Sequence, residues 1–175
     1  MRTARLLLRR WRPEDKGAFA ALNEDTEVMR YMPCSLTRGE SDQWADNIER
    51  EFERDGFGLW ALELPGEVPF IGFTGLNRVP FEAHFTPAIE VGWRLARDFW
   101  GCGYATEAAQ AAVQMGFQEF GLRQIIAETA EENLPSRRVM SRIGMSHDPA
   151  ENFRHPAYSS GSTLGDYVLY RLYGA

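Results

Sequence analysis

Cysteine is scarce in this chain: Cys34 and Cys102 are the only two among 175 residues, and they lie too far apart for a C-x-x-C motif. This excludes a fold built on disulfides and favours a reducing compartment. No apolar run approaches the roughly 20 residues of a membrane-spanning helix. Arginines interrupt the only apolar stretch near the N terminus, which argues against a secretory signal. We therefore predict a cytoplasmic protein with no membrane partner.

Basic residues are the minority among the charged ones, with 19 Lys and Arg against 25 Asp and Glu and a net charge of −6. This balance argues against nucleic acid as a partner and mildly favours a cationic one, although acidity is also common in cytosolic proteins. The three histidines have no metal-ligand spacing with each other or with the cysteines, so we predict no metal site. With 44% hydrophobic residues and no linker or repeat, residues 1–175 are predicted to form a single domain.

Hydrophobic periodicity and turn residues predict alternating strands and helices. The predicted strands are 4–11, 57–64, 70–79, 89–95, 124–129 and 164–172, and the predicted helices are 13–23, 38–54, 104–120 and 137–143. Thr37-x-x-Glu40 has the form of a capping box, and Pro65-Gly66 favours an antiparallel hairpin. A helical crossover makes strands 89–95 and 124–129 parallel neighbours. Residues 148–163 are predicted to form a long loop, either a binding loop or a plain surface excursion.

The stretch WGCGYATEA, residues 100–108, is the most informative one. A glycine turn that opens into a helix leaves backbone N–H groups free to bind a phosphate, unless it is merely a turn between two elements. A P-loop is excluded because Tyr104 follows Gly103 where Lys is required. A dinucleotide fold would use Glu128 as its ribose-binding acid, but Thr106 stands at the third glycine position and too few βαβ units follow. After the P-loop and the dinucleotide fold, the third kind of phosphate site that such a turn could form is one for the pyrophosphate of coenzyme A.

Four segments are informative together, and in chain order they are RLLLRRWRPED, IEVGWRL, WGCGYATEA and ENLPSRRVMSRIGM. They resemble the GNAT acetyltransferases. The segment WGCGYATEA is similar to the branch that contains the ribosomal-protein alanine N-acetyltransferases. The family's loop is Gln/Arg-x-x-Gly-x-Gly/Ala, and Trp100 departs from it at the first position. The resemblance implies an α/β fold with a mixed, mainly antiparallel seven-stranded sheet, splayed central parallel strands and about four flanking helices. It also implies acetyl-CoA as cosubstrate.

The resemblance implies a set of residues that bind the cofactor. The backbone of the fourth strand would pair with the pantetheine arm, and amides of the glycine turn would hold the pyrophosphate. Asn133 would contact the cofactor, unless it is only a turn residue, and Arg138 would reach the 3′-phosphate, unless it belongs to a solvated helix face. The implied strand and turn residues are Trp93, Arg94, Leu95, Cys102, Gly103, Tyr104, Ala105 and Thr106.

The resemblance further implies direct attack of the amine on the thioester in a ternary complex. Glu90 lies on the polar side of strand 89–95 and is our candidate general base, with pairing to Arg78 as the structural alternative. Ser136 is the candidate acid for the leaving thiolate, with a helix N-cap as its alternative. Tyr158, Tyr167 and Tyr170 are weaker candidates for the acid.

Phe81, His84 and Phe85 precede the fourth strand and are predicted to line the acceptor pocket or a homodimer contact, and Tyr158 of the long loop is a further acceptor-site candidate. An α-amine of pKa about 7.7–8.0 is roughly a tenth neutral at pH 7, whereas deprotonating lysine costs about 4.6 kcal/mol. We therefore predict an N-acetyltransferase acting on a primary amine, with a protein N-terminal amine as its favoured form. The alternatives are a polyamine or aminoglycoside acetyltransferase and a non-catalytic sensor that binds CoA.

Overall fold

The computed structural model describes residues 1–174 and contains four α-helices and eight strands in that range. The helices are α1 (Asp15–Glu24), α2 (Arg38–Asp55), α3 (Tyr104–Gln118) and α4 (Leu134–Arg142). The strands are β1 (Leu7–Arg9), β2 (Leu59–Leu64), β3 (Val68–Arg78), β4 (Ile89–Leu95), β5 (Gln124–Ala130), β6 (Ser146–His147), β7 (Phe153–Arg154) and β8 (Asp166–Tyr173).

The strands form one sheet in the order β1-β2-β3-β4-β5-β8-β6, and β7 pairs with β8. Every pairing is antiparallel except that of β4 with β5. The predicted fold class, a mixed and mainly antiparallel sheet with a central parallel pair, is confirmed. Periodicity predicted six of the eight strands, and the two that it missed, β6 and β7, are two-residue strands, too short to show a period in the sequence. The total is one more than the seven that the resemblance implied.

The central parallel strands diverge. Their only bridge pair within residues 1–174 joins Glu90 to Ile126, although β4 continues to Leu95 and stays paired with β3 along its length. The edge of β4 that faces β5 is therefore free of strand partners beyond Glu90. This opening is the feature of the fold that positions the site.

Helices cover both faces of the sheet. Phe73 of β3 packs against Phe19 of α1 and Trp44 of α2, with ring centroids 5.9 and 5.5 Å apart. On the other face, Gly116 of α3 lies so close to β5 that a methyl group there would be 2.7 Å from Ile125 Cδ1. Glycine and alanine thus let α3 pack tightly on the sheet, with its N terminus shortly after the end of β4.

Local signals in the sequence predicted most element ends. The capping box of α2 forms, since the Glu40 N–H donates to Thr37 Oγ1 at 3.3 Å and the Thr37 N–H donates to Glu40 Oε2 at 2.8 Å. The predicted strand 4–11 shrinks to Leu7–Arg9, because the Trp11 and Arg12 amides donate to carboxylates from helices. Helix α4 begins at Leu134, earlier than predicted, because Asn133 caps it.

Candidate active site

A cavity of about 200 Å³ lies between the diverging strands β4 and β5, beside the start of α4. Five of the predicted site residues line it: Glu90, Trp93, Arg94, Asn133 and Ser136. The structure therefore brings the candidate base, the candidate acid and part of the cofactor-binding strand to one place. Leu95 is buried at the end of the same strand.

The glycine turn has the geometry that a phosphate socket requires. Gly101 and Gly103 have φ angles of +74° and +82°, and the first intrahelical bond of α3 runs from the Glu107 N–H to Gly103 O. Within residues 1–174, no acceptor faces the backbone N–H groups from Gly101 to Thr106. Six successive donors, including those of Cys102, Tyr104 and Ala105, are thus free at a helix N terminus, where partial positive charge accumulates.

A larger cleft of about 760 Å³ begins at Gly103 and Thr106 and follows one side of α3. Its wall includes Gln110 and Gln114 of the helix and Arg142 of α4. It is open to solvent, and it lies next to the turn that carries the free amides.

Arg5 holds the glycine turn in place, a role for Arg5 that the sequence did not predict. Its guanidinium bonds Glu107 Oε2 at 2.7 Å and Cys102 O at 2.8 Å, and it stacks 4.6 Å over the Tyr104 ring. Trp100, at the position that departs from the family pattern, donates its indole N–H to Leu95 O at 2.7 Å. The turn is therefore tied to both β4 and the start of the chain. No local signal could have revealed a contact between residues so distant in sequence.

The structural alternative for Glu90 is wrong. Arg78 pairs with Asp55, with Arg78 Nε 3.1 Å from Asp55 Oδ1, whereas Glu90 Oε1 accepts a bond from Asn77 Nδ2 at 2.7 Å. Burial raises the pKa of Glu90 above its ordinary value, and the bond from Asn77 only partly opposes this. Glu90 thus has no ion pair within residues 1–174, and its pKa is shifted toward the range of a useful base.

The N-cap alternative for Ser136 is also wrong. Asn133 Oδ1 accepts the Ser136 N–H at 3.3 Å, so Asn133 is the cap. The Asn133 Nδ2 group donates to Thr129 Oγ1 at 2.8 Å, and the side chain is buried. The Ser136 hydroxyl lines the cavity and has no hydrogen bond within residues 1–174, so it is free to act there.

The two arginines predicted to bind the cofactor differ in position. The Arg94 side chain turns into the cavity, donates to Asn23 Oδ1 at 2.6 Å and lies over Trp44, and burial lowers its pKa to about 10. Arg138 is exposed, and its Nε donates to Leu134 O within α4. Only Arg94 is a cavity residue.

Glu128 is a cavity residue that sequence reasoning did not assign to this site. Its Oε2 atom is buried and has no hydrogen-bond partner among residues 1–174, and its Oε1 atom lies 3.9 Å from His155 Nε2. Burial raises the pKa of Glu128 well above its ordinary value, and the nearby charge of Glu90 raises it further. The strand was correctly predicted, but the register that brings Glu128 near Glu90 was not.

The predicted acceptor residues form an aromatic cluster beside Glu128 and do not line the cavity itself. Phe81 packs against His155 with ring centroids 4.6 Å apart, and His84 and Phe85 pack against Phe153. Tyr158 donates its hydroxyl proton to Tyr31 O at 2.7 Å. The loop 148–163 thus contains β7, and its Phe153, His155 and Tyr158 rings pack together beside Glu128.

The described part of the chain, residues 1–174, shows neither a membrane-spanning helix nor a cluster of metal ligands. No helix in that range combines the length and the apolar character that crossing a bilayer requires. In the same range, no three His, Cys, Asp or Glu side chains converge as metal ligands would. The absence of a metal from the proposed chemistry stays a prediction.

Comparison with protein families and sequences gives a consistent result. A family model described as an acetyltransferase (GNAT) domain matches residues 5–146. The FsC-acetyl coenzyme A-N(2)-transacetylase of Aspergillus fumigatus is 35% identical over 156 residues, which is 84% of this chain and 65% of that protein, so the chain spans just under two thirds of this relative. The uncharacterized N-acetyltransferase YnaD of Bacillus subtilis is 32% identical over 97% of this chain and 94% of its own length.

Solved structures share the fold. A GNAT-family acetyltransferase from Bacillus anthracis superposes with a TM-score of 0.81 at 28% identity, covering 99% of this chain and 97% of the other. A ribosomal L7/L12 alpha-N-protein acetyltransferase bound to coenzyme A has a TM-score of 0.77, with coverage of 98% and 96%. A spermidine N-acetyltransferase from Vibrio cholerae, bound to CoA and spermine, has a TM-score of 0.76, with coverage of 97% and 96%. The last two are each 16% identical to this chain, so that likeness is one of fold alone.

Proposed function

Because the chain belongs to the GNAT acetyltransferase family, we propose that it transfers an acetyl group from acetyl-CoA to a primary amine. The amine attacks the thioester directly in a ternary complex, within a single N-acetyltransferase domain that acts in the cytoplasm. The proposal rests on the cavity between β4 and β5. A buried carboxylate lines this cavity beside the free edge of β4, and the same fold contains a turn of unpaired amides.

Acetyl-CoA is the cosubstrate in this proposal. The amides of residues 102–106 bind its pyrophosphate, because these five of the six free N–H donors at a helix N terminus match the phosphate oxygens. The unpaired edge of β4 at Trp93, Arg94 and Leu95 binds the pantetheine arm, and the Asn133 region closes the other side of the cleft. Arg138, exposed on α4, remains the candidate for the 3′-phosphate.

The chemistry uses two side chains of the cavity. Glu90 takes a proton from the attacking nitrogen, and its raised pKa makes it a stronger base than an ordinary glutamate. The nitrogen bonds the thioester carbon, the C–S bond breaks, and the thiolate takes a proton from Ser136. Ser136 then takes up the proton that Glu90 removed, so both side chains return to their starting forms. Backbone N–H groups of β4 stabilise the tetrahedral oxyanion, which requires no particular side chain.

The favoured acceptor is a protein N-terminal amine, because an α-amine needs only a weak base. A small amine such as a polyamine is the second candidate, and the enclosed volume of about 200 Å³ with its buried carboxylates favours it. A non-catalytic module that binds CoA would share the socket but would release no thiol. Structures of the same fold carry both kinds of acceptor in their names, a ribosomal protein and spermidine.

The test is thiol release from acetyl-CoA with a panel of peptide N termini, polyamines and aminoglycosides. We expect turnover with at least one class and a loss of about 10²-fold or more in kcat for Glu90→Gln. The exposed Glu67→Gln is the matched control and should retain full activity. Absence of thiol release with every amine would contradict the proposal, and a Glu90→Gln variant with an unchanged pH profile would remove Glu90 from the role of base.

A further inference from the structure

We infer that Glu128 is a second carboxylate of the acceptor site, which binds the acceptor amine as its ammonium ion beside Glu90. The inference rests on the proposed function and narrows it, since it names the charged form in which the substrate enters. The chemical class is a primary ammonium ion whose nitrogen lies between two carboxylates.

Strand pairing places the two side chains on one face. Glu90 is opposite Ile126 in the parallel pair, and Glu128 lies two residues further along β5, so both carboxylates project from the same side of the sheet. Gly92, between Glu90 and Arg94 on that side, has no side chain, and a methyl group there would have no neighbour within 4 Å. The space between the carboxylates is open and belongs to the cavity.

No lysine or arginine among residues 1–174 pairs with either of the two buried carboxylates. The Glu128 side chain is 12% exposed, and its Oε2 atom is without a partner within residues 1–174. The bond to Glu90 comes from a neutral amide, that of Asn77. An unpaired buried carboxylate is unfavourable, so the site is built for a positive group that arrives from outside.

The basic groups nearby do not supply that charge. Burial lowers the pKa of His155, so this ring is mainly neutral at pH 7, and it remains 3.9 Å from Glu128. Arg94 lines the cavity, but its guanidinium bonds Asn23 and stacks over Trp44. The phenols of Tyr158 and Tyr167 complete the titratable groups around the pair, and burial raises the pKa of both.

An ammonium ion fits this site because it is compact and presents three N–H donors to the carboxylate oxygens. The proton balance also closes. The ammonium ion gives one proton to a carboxylate of the pair, and the neutral amine then forms the N–C bond while the C–S bond breaks. The second proton ends on the thiolate, so each turnover releases one amide, one thiol and one proton.

The pair also predicts a pH signature. The charge of Glu90 raises the pKa of Glu128, since a like charge in one site disfavours the second ionisation. Glu128→Gln removes this higher ionisation and leaves Glu90 to titrate alone, so the acid limb of the pH–rate profile moves to lower pH. A residue that only supported the fold would leave the position of this limb unchanged.

The experiment compares the wild type with Glu128→Gln, Glu128→Asp and the control Glu67→Gln, using the best amine of the panel. For Glu128→Gln we expect the KM for the amine to rise at least tenfold, the KM for acetyl-CoA to stay within twofold, and the acid limb to shift to lower pH. Glu128→Asp should recover part of the amine affinity. An unchanged amine KM and an unshifted limb in an active Glu128→Gln enzyme would overturn the inference and leave the proposed function standing.

A second measurement does not require turnover. Methylammonium, a primary ammonium ion with three N–H donors, should bind the wild type and Glu67→Gln in calorimetric titrations without acetyl-CoA, and bind Glu128→Gln at least tenfold more weakly. Retained acetyl-CoA binding in a separate titration shows that the variant is folded. Equal methylammonium binding by wild type and Glu128→Gln would overturn the inference. Failure of the wild type to release thiol with any amine would instead overturn the proposed function.

Discussion

Ser136 and Asn133 show how one hydrogen bond divides roles between neighbouring residues. Either side chain could have capped α4, and the side chain that accepts the capping hydrogen bond is held in place and less able to take part in catalysis. Because Asn133 accepts the Ser136 N–H, the asparagine supports the helix and the serine hydroxyl remains in the cavity. At the scale of single residues, stability and activity should therefore separate.

We expect Ser136→Ala to lower kcat by about 10- to 100-fold, as loss of a general acid does, while the KM for acetyl-CoA and the free energy of unfolding change little. Asn133→Ala should lower the free energy of unfolding by about 1 kcal/mol through loss of the cap. Steady-state kinetics and denaturant unfolding of both variants measure this. Equal losses of stability in the two variants would contradict the division of roles.

At the scale of elements, the turn before α3 is held from both sides. Arg5 anchors it to the start of the chain and the Trp100 indole anchors it to β4, so its amides keep one orientation. This orientation depends on positive φ angles, which glycine adopts without strain. The direction of six N–H groups thus depends on two glycines.

Gly103→Ala tests this dependence. Alanine at a φ of +82° is disfavoured by about 1–2 kcal/mol, and its methyl group would meet Arg5 Nη2 at 3.4 Å, so the turn should rearrange. We expect acetyl-CoA to bind about tenfold more weakly, measured by calorimetry. The control is Gly17→Ala in α1, where a methyl group has open space and should stabilise the helix by about 0.5–1 kcal/mol. Unchanged affinity in Gly103→Ala would count against the socket.

At the scale of the whole molecule, the acceptor site should destabilise the fold at neutral pH. The pKa of Glu128 is higher in the folded state than in the unfolded chain, where it is about 4.3. The folded state therefore binds the proton more tightly, and this contribution to stability is full below pH 4.3 and is lost as pH rises through the folded pKa. The ionised Glu128 that the acceptor site requires therefore lowers the free energy of unfolding.

The Glu128→Gln variant does not titrate at this position, so its free energy of unfolding relative to wild type should rise between pH 4.5 and pH 8. The expected rise is on the order of 1 kcal/mol, since each unit of pKa shift corresponds to about 1.4 kcal/mol. Titrating groups that do not interact with Glu128, such as Glu151, whose bond with Arg171 lowers its pKa, cancel in the difference. Urea unfolding across this pH range, with Glu67→Gln as control, measures it. A difference that is independent of pH would contradict the assignment.

Local signals predicted the parts of this protein that local interactions determine. The alternation of apolar residues predicted β4 at residues 89–95. Thr37 and Glu40 predicted the start of α2, and the glycine turn predicted free amides at the start of α3. In each case the interacting groups are only a few residues apart, so their chemistry can be seen in the sequence. The family and the fold class came instead from the resemblance of four segments, in order along the chain, to the GNAT acetyltransferases.

The amino-acid sequence by itself thus determined the elements, the glycine turn and the candidate base Glu90. Only the tertiary structure decided that Asn77, not Arg78, bonds Glu90, that Arg5 clamps the turn, and that Glu128 shares the cavity. These contacts join segments far apart in the chain or depend on strand register, and shifting a strand by one residue would turn Glu128 to the opposite face. Register is set by the packing of the whole sheet, which no local pattern records.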